Sequence, residues 1–152
     1  MQTGTMRLLS KACTYGIRAS LFVASKDTKR VPIRQIATEL GISFHFLTKV
    51  LQALTKHNIM VSYRGPKGGV ALARPARDIT LMDMIDAIEH EACFEGCILN
   101  LPGCGDETPC PLHTPWTGAR DSIDSMFRDA NLEDLVRKIR KDGLRLSIGG
   151  AS

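Results

Sequence analysis

Aromatic residues are scarce in this chain of 152 residues, which holds one Trp, two Tyr and five Phe. A core with so few rings must be mostly aliphatic. No apolar run reaches the roughly 20 residues that a membrane-spanning helix needs. The first residues show no signal-peptide pattern of an apolar run and a cleavage site. We therefore expect a cytoplasmic protein with one compact domain, or a small domain with an appendage.

Acidic residues are few in the first half of the chain. Residues 1–80 hold 13 Lys and Arg against 3 Asp and Glu, whereas residues 81–152 hold 7 against 13. A basic half is the electrostatic footprint of contact with phosphates. The alternative is a fold whose halves neutralise each other. We favour nucleic-acid binding, because the basic residues coincide with the helix-turn-helix pattern described below.

The sequence also lacks paired carboxylates and any nucleophile–base constellation, so we expect no enzyme. His45, His57 and His90 are isolated and are expected to be solvated or packed. A glycine-rich stretch at 64–69 does not fit a nucleotide-binding P-loop. That loop needs Gly-x4-Gly-Lys-Ser/Thr ahead of a helix, and a strand-like run follows here.

Two helical patterns separated by a glycine predict a helix-turn-helix. Apolar positions recur with helical spacing over residues 31–40 and stop at Gly41. Ser43 is then a good N-cap for a helix running from Phe44 to about Lys56. In this motif the second helix enters the DNA major groove with its N-terminal residues leading. An ordinary helical hairpin with solvated polar residues is the alternative. The candidate DNA-binding residues of this helix are Ser43, Phe44, His45, Thr48 and Lys49.

A β-hairpin with a basic tip is predicted next. Apolar residues alternate from Ile59 to Tyr63 and again from Val70 to Leu72, with Arg64-Gly-Pro-Lys-Gly-Gly69 between them. A hairpin directly after a helix-turn-helix is a wing. Arg64 and Lys67 at its tip are candidates for contacts with phosphates or a narrow minor groove. The expected fold is mainly α with a small β-hairpin wing.

Further helical patterns precede and follow this module. One runs from Leu8 to Ser25 and contains Cys13, which we expect to be a small buried hydrophobe. Another is capped by Thr80 and ends near residue 91. A third begins near Trp116, with a partial apolar stripe that a dimer could bury. A short last helix covers residues 132–139.

Four of the five cysteines lie in a loop rich in Gly and Pro, which excludes regular helix and strand. Cys97, Cys104, Cys110 and His113 offer three thiolates and one imidazole, and a bound metal would order such a loop. The gaps of six, five and two residues match neither the C-x2-C pairs of zinc ribbons nor the ferredoxin run. Zinc and iron–sulfur clusters both take these ligands. Both therefore remain open, beside a redox-active or structural thiol loop.

A disulfide framework is not expected, because the number of cysteines is odd and no secretory signal is present.

The sequence resembles the winged helix-turn-helix transcription regulators typified by IscR, NsrR and CymR. The most specific segment is the wing, Val61-Ser-Tyr-Arg-Gly-Pro-Lys-Gly-Gly-Val70, and Leu9–Ala19, Cys110–Trp116 and Asn131–Val136 support it. The resemblance covers nearly the whole chain and is strongest to the cluster-binding, IscR-like members. It implies a homodimeric DNA-binding regulator of a double-stranded operator, with repression as the expected mode. It also implies a long dimerisation helix that begins near Pro115.

The resemblance assigns ligands for an iron–sulfur cluster. Cys97, Cys104 and Cys110 match the three family cysteines, and His113 matches the histidine of the IscR type. It therefore implies a [2Fe–2S] cluster ahead of [4Fe–4S], with zinc as an alternative. Such a cluster would sense redox, iron–sulfur or nitric oxide status. Its occupancy would shift the dimer between operator-binding states.

Four departures from the family pattern bear on the details. Cys93 is an extra thiol that could replace a ligand, and the first cysteine gap is one residue longer than in IscR and NsrR. The acidic residue that completes a [4Fe–4S] site in NsrR-like members is Thr14 here, with Cys13 beside it, which argues against a nitric-oxide sensor. A glutamate common in the IscR recognition helix is Thr48, so a different operator preference is expected.

The expected organisation is a winged helix-turn-helix domain at 1–78, a connecting helix and cysteine-rich loop at 79–116, a dimerisation helix and short C-terminal helix at 115–141, and a flexible tail at 142–152. Two other functions remain open. One is a cluster-free regulator in which Cys93 or Cys97 acts as a thiol switch. The other is a small zinc or iron–sulfur interaction or electron-transfer protein, against which the basic first half argues.

Overall fold

The computed structural model describes residues 8–90, 94–143 and 146. Within these residues the elements in chain order are α1 (Lys11–Ser25), α2 (Ile33–Leu40), α3 (Phe44–Lys56), β1 (Met60–Tyr63), β2 (Gly69–Leu72), α4 (Leu81–Ile88), α5 (His113–Asp129) and α6 (Leu132–Asp142). A 3-10 turn at Ala76–Asp78 joins the hairpin to α4. The fold is mainly α with one small antiparallel hairpin, as predicted. In the part of the chain described, no helix is long and apolar enough to cross a membrane.

Helices α2 and α3 form the predicted helix-turn-helix. The local sequence explains where α2 ends and where α3 begins. Gly41 ends α2 in the left-handed region at φ 67°, which costs glycine little. The Ser43 side chain caps α3 by accepting a hydrogen bond from the Phe46 N–H. The apolar face of α3 is buried as its period predicts, at Leu47, Val50, Leu51 and Leu54.

The hairpin is fastened to the chain ahead of α2. A two-stranded hairpin alone is marginally stable in water. Here the Val31 N–H donates to the Val70 carbonyl at 2.9 Å, and the Val70 N–H donates back to the Val31 carbonyl at 2.9 Å. Gly69 allows this approach, because its φ is 150° and a Cβ there would lie 2.4 Å from the Val31 oxygen. The wing is thereby fixed beside α2.

Three helices meet in an aliphatic core. At Gly16 of α1 a Cβ would lie 2.3 Å from Cδ1 of Ile88 in α4 and 3.1 Å from Cγ1 of Val50 in α3. The end of α4 and the middle of α3, the helix expected to enter the major groove, therefore both pack over this glycine of α1. Cys13 is fully buried, as predicted. Other large, fully buried side chains include Ile36, Leu40, Leu47, Leu54, Met84 and Ile85.

Hydrogen bonds join the second half of the chain to the start of α4, and an aromatic stack joins it to the residues that follow α4. Backbone hydrogen bonds of 2.9 Å connect residues 79–81 to residues 130–132, at the starts of α4 and α6. Thr80 caps α4 through a capping box with Asp83. Beyond the other end of α4, the buried Phe94 ring stacks on Phe127 of α5, with 5.5 Å between centroids.

Two predicted helix ends differ from the structure. α1 begins after its N-cap Ser10 rather than at Leu8, because the Ser10 side chain accepts a hydrogen bond from the backbone in place of a helical one. α4 ends at Ile88, since Glu89 is already extended. The predicted end near residue 91 falls outside the described residues.

The start of α5 also differs from the prediction. The helix begins at His113 rather than near Pro115 or Trp116. Proline is tolerated in the first turn, where its missing N–H costs nothing. The predicted tail begins inside α6, which extends to Asp142, and Leu146 packs against the core. Residues 144–145 and 147–152 lie outside the described residues, so a flexible tail stays a prediction.

Replacing Gly69 with alanine is expected to destabilise the protein, because the new Cβ would collide with the Val31 backbone at a positive φ. We expect the free energy of unfolding in urea to fall by about 1–3 kcal/mol. Gly118→Ala is the matched control. A Cβ there meets nothing within 4 Å in α5, so helix propensity should raise stability by up to about 1 kcal/mol. Equal stability of Gly69→Ala and wild type would contradict this account of the wing.

Candidate metal centre and nucleic-acid interface

Three thiols of the loop between α4 and α5 converge. The Sγ atoms of Cys97, Cys104 and Cys110 all lie within 4.8 Å of one another. The Cys97 and Cys110 sulfurs are 3.6 Å apart, and the Cys110 N–H donates to the Cys104 sulfur at 3.4 Å. Thiolates bound to one zinc at about 2.3 Å lie roughly 3.8 Å apart. The spacing of these thiols is thus close to that of a metal-bound set. Cys93, the candidate extra ligand, lies outside the described residues.

Two tight turns bring these cysteines together. In the first, the N–H of Asn100, whose φ is 56°, donates to the Cys97 carbonyl at 3.0 Å. In the second, the Cys104 N–H donates to the Leu101 carbonyl at 3.3 Å across Gly103, whose φ is 72°. Asparagine and glycine adopt such left-handed conformations most readily. The sequence between the cysteines therefore folds the loop back on itself.

Helix α5 holds the beginning of the loop. The indole N–H of Trp116 donates to the Gly96 carbonyl at 3.0 Å, and the Arg120 guanidinium donates to the same oxygen at 3.4 Å. A cleft of about 330 Å³ lies between α5 and the thiols, with Cys97 and Cys104 on one side. The site is thus built by the loop together with the first two turns of α5.

His113 lies in the first turn of α5 beside one thiol. Its Nδ1 is 3.8 Å from the Cys104 sulfur, and its Nε2 is 3.1 Å from a carboxylate oxygen of Asp106. An Nε2–H that donates to Asp106 leaves the Nδ1 lone pair free on the side of the thiols. The imidazole contacts Cys104 but does not belong to the group of three mutually close sulfurs. Asp106 was not predicted from the sequence. The signal that could have identified it is the position of its carboxylate within the loop that carries the cysteines.

The surroundings of two thiols shift their pKa values in opposite directions, downward for Cys97 and upward for Cys104. The Leu101 backbone N–H, helped by that of Leu99 and by neighbouring thiols, lowers the pKa of Cys97 to about 7 against an opposing effect of burial. For Cys104 the Cys110 N–H is the largest influence and lowers the pKa. Burial and the two neighbouring thiols together outweigh it and raise the pKa of Cys104. Cys97 is therefore the readier thiolate near neutral pH.

The candidate DNA-binding residues lie at two places in the structure. Ser43, Phe44, His45 and Lys49 are exposed at the start of α3, Thr48 is half-buried there, and Arg64 and Lys67 are exposed at the hairpin tip. The Ser43 hydroxyl accepts from the Phe46 N–H, and the Thr48 hydroxyl donates to the Phe44 carbonyl at 2.8 Å. His45 and Lys49 are therefore the freer donors of the α3 set.

The basic first half and the acidic second half of the chain also differ in how their arginines form ion pairs. Arg120, Arg128 and Arg137 in α5 and α6 each pair with a carboxylate within four residues. Among the described residues, no ion pair involves α2, α3 or the hairpin. The positive charge of the helix-turn-helix and wing is thus not neutralised by the protein and is available to phosphates.

The family model of Rrf2, described as iron-dependent transcriptional regulator, matches residues 9–138. The chain belongs to the Rrf2 family. Among curated relatives, the HTH-type transcriptional regulator IscR of Pectobacterium carotovorum is 32% identical over 132 residues, which cover 86% of this chain and 79% of that protein. A putative HTH-type transcriptional regulator of Aquifex aeolicus is 28% identical over 131 residues, covering 85% of this chain and 91% of the relative.

Solved structures agree with this assignment. CymR of B. subtilis, titled the global cysteine regulator, matches with a TM-score of 0.70 and 25% identity over 88% of this chain and 98% of its own. T. potens IscR matches with a TM-score of 0.70 and 24% identity over 90% and 91%, which shows the fold alone. The expected winged-helix family is confirmed, and this Rrf2 protein is a DNA-binding transcription regulator, not an enzyme.

The lowered pKa of Cys97 predicts the order in which thiols of the metal-free protein react with iodoacetamide. Thiolate is the reactive form, so the rate at Cys97 should rise with pH through a midpoint near 7. The raised pKa of Cys104 should place its midpoint higher. The fully buried Cys13 serves as control and should stay unmodified in the native protein. Rates followed by mass spectrometry that share one midpoint at Cys97 and Cys104 would contradict the prediction.

Proposed function

We propose that this Rrf2 regulator senses redox, iron–sulfur or nitric oxide status through an iron–sulfur cluster held by Cys97, Cys104, Cys110 and His113. The observation that carries the proposal is the mutual approach of the three thiols within 4.8 Å. The family description as iron-dependent supports iron. Three thiolates and one imidazole suit a [2Fe–2S] centre better than a [4Fe–4S] one, and zinc is the alternative metal. When bound, the cluster supplies a centre that oxidants or nitric oxide alter and whose ligation orders the loop.

A cluster-free thiol switch is the second candidate, and one observation favours it. The pKa of Cys97 is lowered to about 7, and its sulfur lies 3.6 Å from that of Cys110. A thiolate of this kind reacts readily with peroxides. The close approach of the thiols is compatible with both a cluster and a thiol switch, so the metal content of the purified protein distinguishes the two. The fully buried Cys13 is not favoured as a further ligand or switch.

Packing supplies a route from the loop to the DNA-contacting helix. Phe94, at the beginning of the described part of the loop, stacks on Phe127 of α5. Ile88, at the end of α4, and Val50 of α3 both pack over Gly16 of α1. A change of order in the loop would therefore act on the end of α4 that touches α3. Coupling between sites typically amounts to about 1–3 kcal/mol, or roughly 5–150-fold in affinity.

A second contact connects the same end of α4 to α1. The backbone N–H of Ser10 donates to the Glu89 carboxylate at 3.1 Å, and the Ser10 hydroxyl contacts the same oxygen. Ser10 is also the N-cap of α1, because it accepts from the Cys13 N–H at 3.1 Å. The residue that follows α4 thus contacts the start of α1, the helix that packs on α3.

On the DNA side, we propose that the start of α3 enters the major groove of an operator and that Arg64 and Lys67 reach phosphates or a narrow minor groove. We propose a homodimer through α5, which buries Phe127 but leaves Met126 53% exposed. Dimers of this class bind two half-sites about one DNA turn apart. Repression is the proposed mode, and the cytoplasm, where thiols stay reduced, is the proposed location.

Metal analysis of protein purified without oxygen tests the cluster. We expect about two iron and two sulfide per chain with a [2Fe–2S] visible spectrum, and the Cys104→Ala variant should lose most of both. Cys13→Ala removes a buried thiol outside the group and should retain them. About four of each would indicate the [4Fe–4S] alternative. A colourless wild type after cluster reconstitution would reject the cluster and leave zinc or the thiol switch, which a zinc assay separates.

Operator binding by the same variants tests the link to regulation. DNA selected from a random duplex library by the wild type serves as probe, with and without prior oxidation. We expect Cys104→Ala to abolish the oxidation-dependent change in affinity, and Cys13→Ala to preserve it. If Cys104→Ala and wild type respond identically under every redox condition, the sensing role of the loop is wrong.

The bond between His113 and Asp106 predicts an effect on cluster retention. Asp106→Asn keeps the shape but removes the acceptor charge. We expect the variant to lose its cluster to a chelator faster than the wild type, because partners of ligating histidines typically contribute about 10–100-fold in metal affinity. Glu107→Gln removes the adjacent exposed carboxylate as matched control. Wild-type retention in Asp106→Asn would show that Asp106 does not orient the imidazole.

A further inference from the structure

Arg30, which precedes α2, and Arg34, in the first turn of α2, lie over exposed aromatic rings. The guanidinium carbon of Arg30 is 4.1 Å from the centroid of the Tyr63 ring, and that of Arg34 is 4.7 Å from the centroid of the Phe44 ring. Tyr63 ends β1 and Phe44 opens α3. These rings are 40% and 42% exposed. Each proposed DNA-contacting element thus carries one exposed ring, and an arginine covers each ring.

Each of the two guanidinium groups is held against a ring, and among the described residues no carboxylate neutralises its charge. A guanidinium whose carbon lies over a ring contacts the ring on one side and keeps N–H donors for other partners. Arg30 has a further anchor, since it donates to the Lys67 carbonyl in the hairpin tip at 3.4 Å. In the described parts of the chain, neither arginine pairs with a carboxylate, in contrast to Arg120 and Arg137. Their charges remain available to an external anion.

Their position relates them to the DNA backbone. In a helix-turn-helix the first helix crosses the phosphate backbone while the second enters the groove. Arg34 lies in the first turn of α2, the first helix of this motif. Arg30 precedes Val31, which is hydrogen-bonded to Val70 of the wing. One arginine is therefore attached to the wing and the other to the beginning of α3.

We propose that Arg30 and Arg34 bind DNA phosphates and that Tyr63 and Phe44 are the platforms that order them beforehand. The inference rests on the proposed contact of α3 and the hairpin with DNA. Ordering a long side chain before binding removes part of the entropy cost of association. It also gives Phe44 a role other than contact with a base. Helix-turn-helix periodicity did not single out either arginine, because the stacks join residues 10 and 33 positions apart.

Salt-dependent binding of the full chain to DNA tests the proposal. The probe is a fluorescein-labelled duplex of mixed sequence, about 30 base pairs long, titrated at about 50 to 200 mM NaCl. Arg30→Gln and Arg34→Gln keep most of the side-chain stem. Each should weaken binding several-fold and reduce the slope of log K against log salt by about 0.9 for every phosphate that the variant no longer neutralises. Arg137→Gln removes the same charge from α6, where Arg137 pairs with Asp134 at 3.0 Å, and should leave the slope unchanged.

The platforms are tested separately. Tyr63→Leu and Phe44→Leu retain both arginines, so the slope should stay at the wild-type value while the affinity falls. Arg30→Lys retains the charge without the planar group and should behave in the same way. Circular dichroism and urea unfolding establish that each variant is folded.

Each outcome decides the inference. Slopes for Arg30→Gln and Arg34→Gln equal to that of Arg137→Gln would overturn phosphate binding. Unchanged affinity in both leucine variants would overturn the platform role. A wild-type protein that binds this DNA without salt dependence would reject the proposed DNA contact itself, which distinguishes that failure from failure of the two arginines.

Discussion

The packing of Ile88 and Val50 over Gly16 joins the two halves of this molecule. It places the end of α4 between α1 and α3, where a single methyl group more would not fit without displacement of a neighbour. Protein cores packed to this density respond to a shift of one element by shifts of the others. Helix α3 and the helix that leads to the cysteines therefore share one packed region around Gly16.

The sequence predicted those parts of the fold that local patterns control. The turn at Gly41, the cap at Ser43 and the buried face of α3 follow from backbone freedom, hydrogen bonding and helical period. The wing follows from alternation around a glycine-rich tip. None of these needs knowledge of distant residues. Burial of Cys13 followed from the apolar period of α1 in the same way.

The geometry of the candidate site was harder to predict from local sequence patterns. Its cysteines could be named from their clustering, but their separation depends on two turns and on α5. The start of α5 at His113 was missed because Pro115 suggested a boundary, whereas a proline in the first turn is compatible with the helix. The two arginines that lie over aromatic rings were missed for another reason. Their partners are fixed by tertiary folding, and no local period records them.

The paired hydrogen bonds between residues 79–81 and 130–132 give the second half of the chain a fixed pivot. Phe127, which stacks on Phe94, lies in the last turn of α5 close to these bonds, whereas the cysteines lie near the first turns of α5. A rearrangement of the loop would therefore act on one end of α5 while the hydrogen bonds and the aromatic stack hold its other end in place.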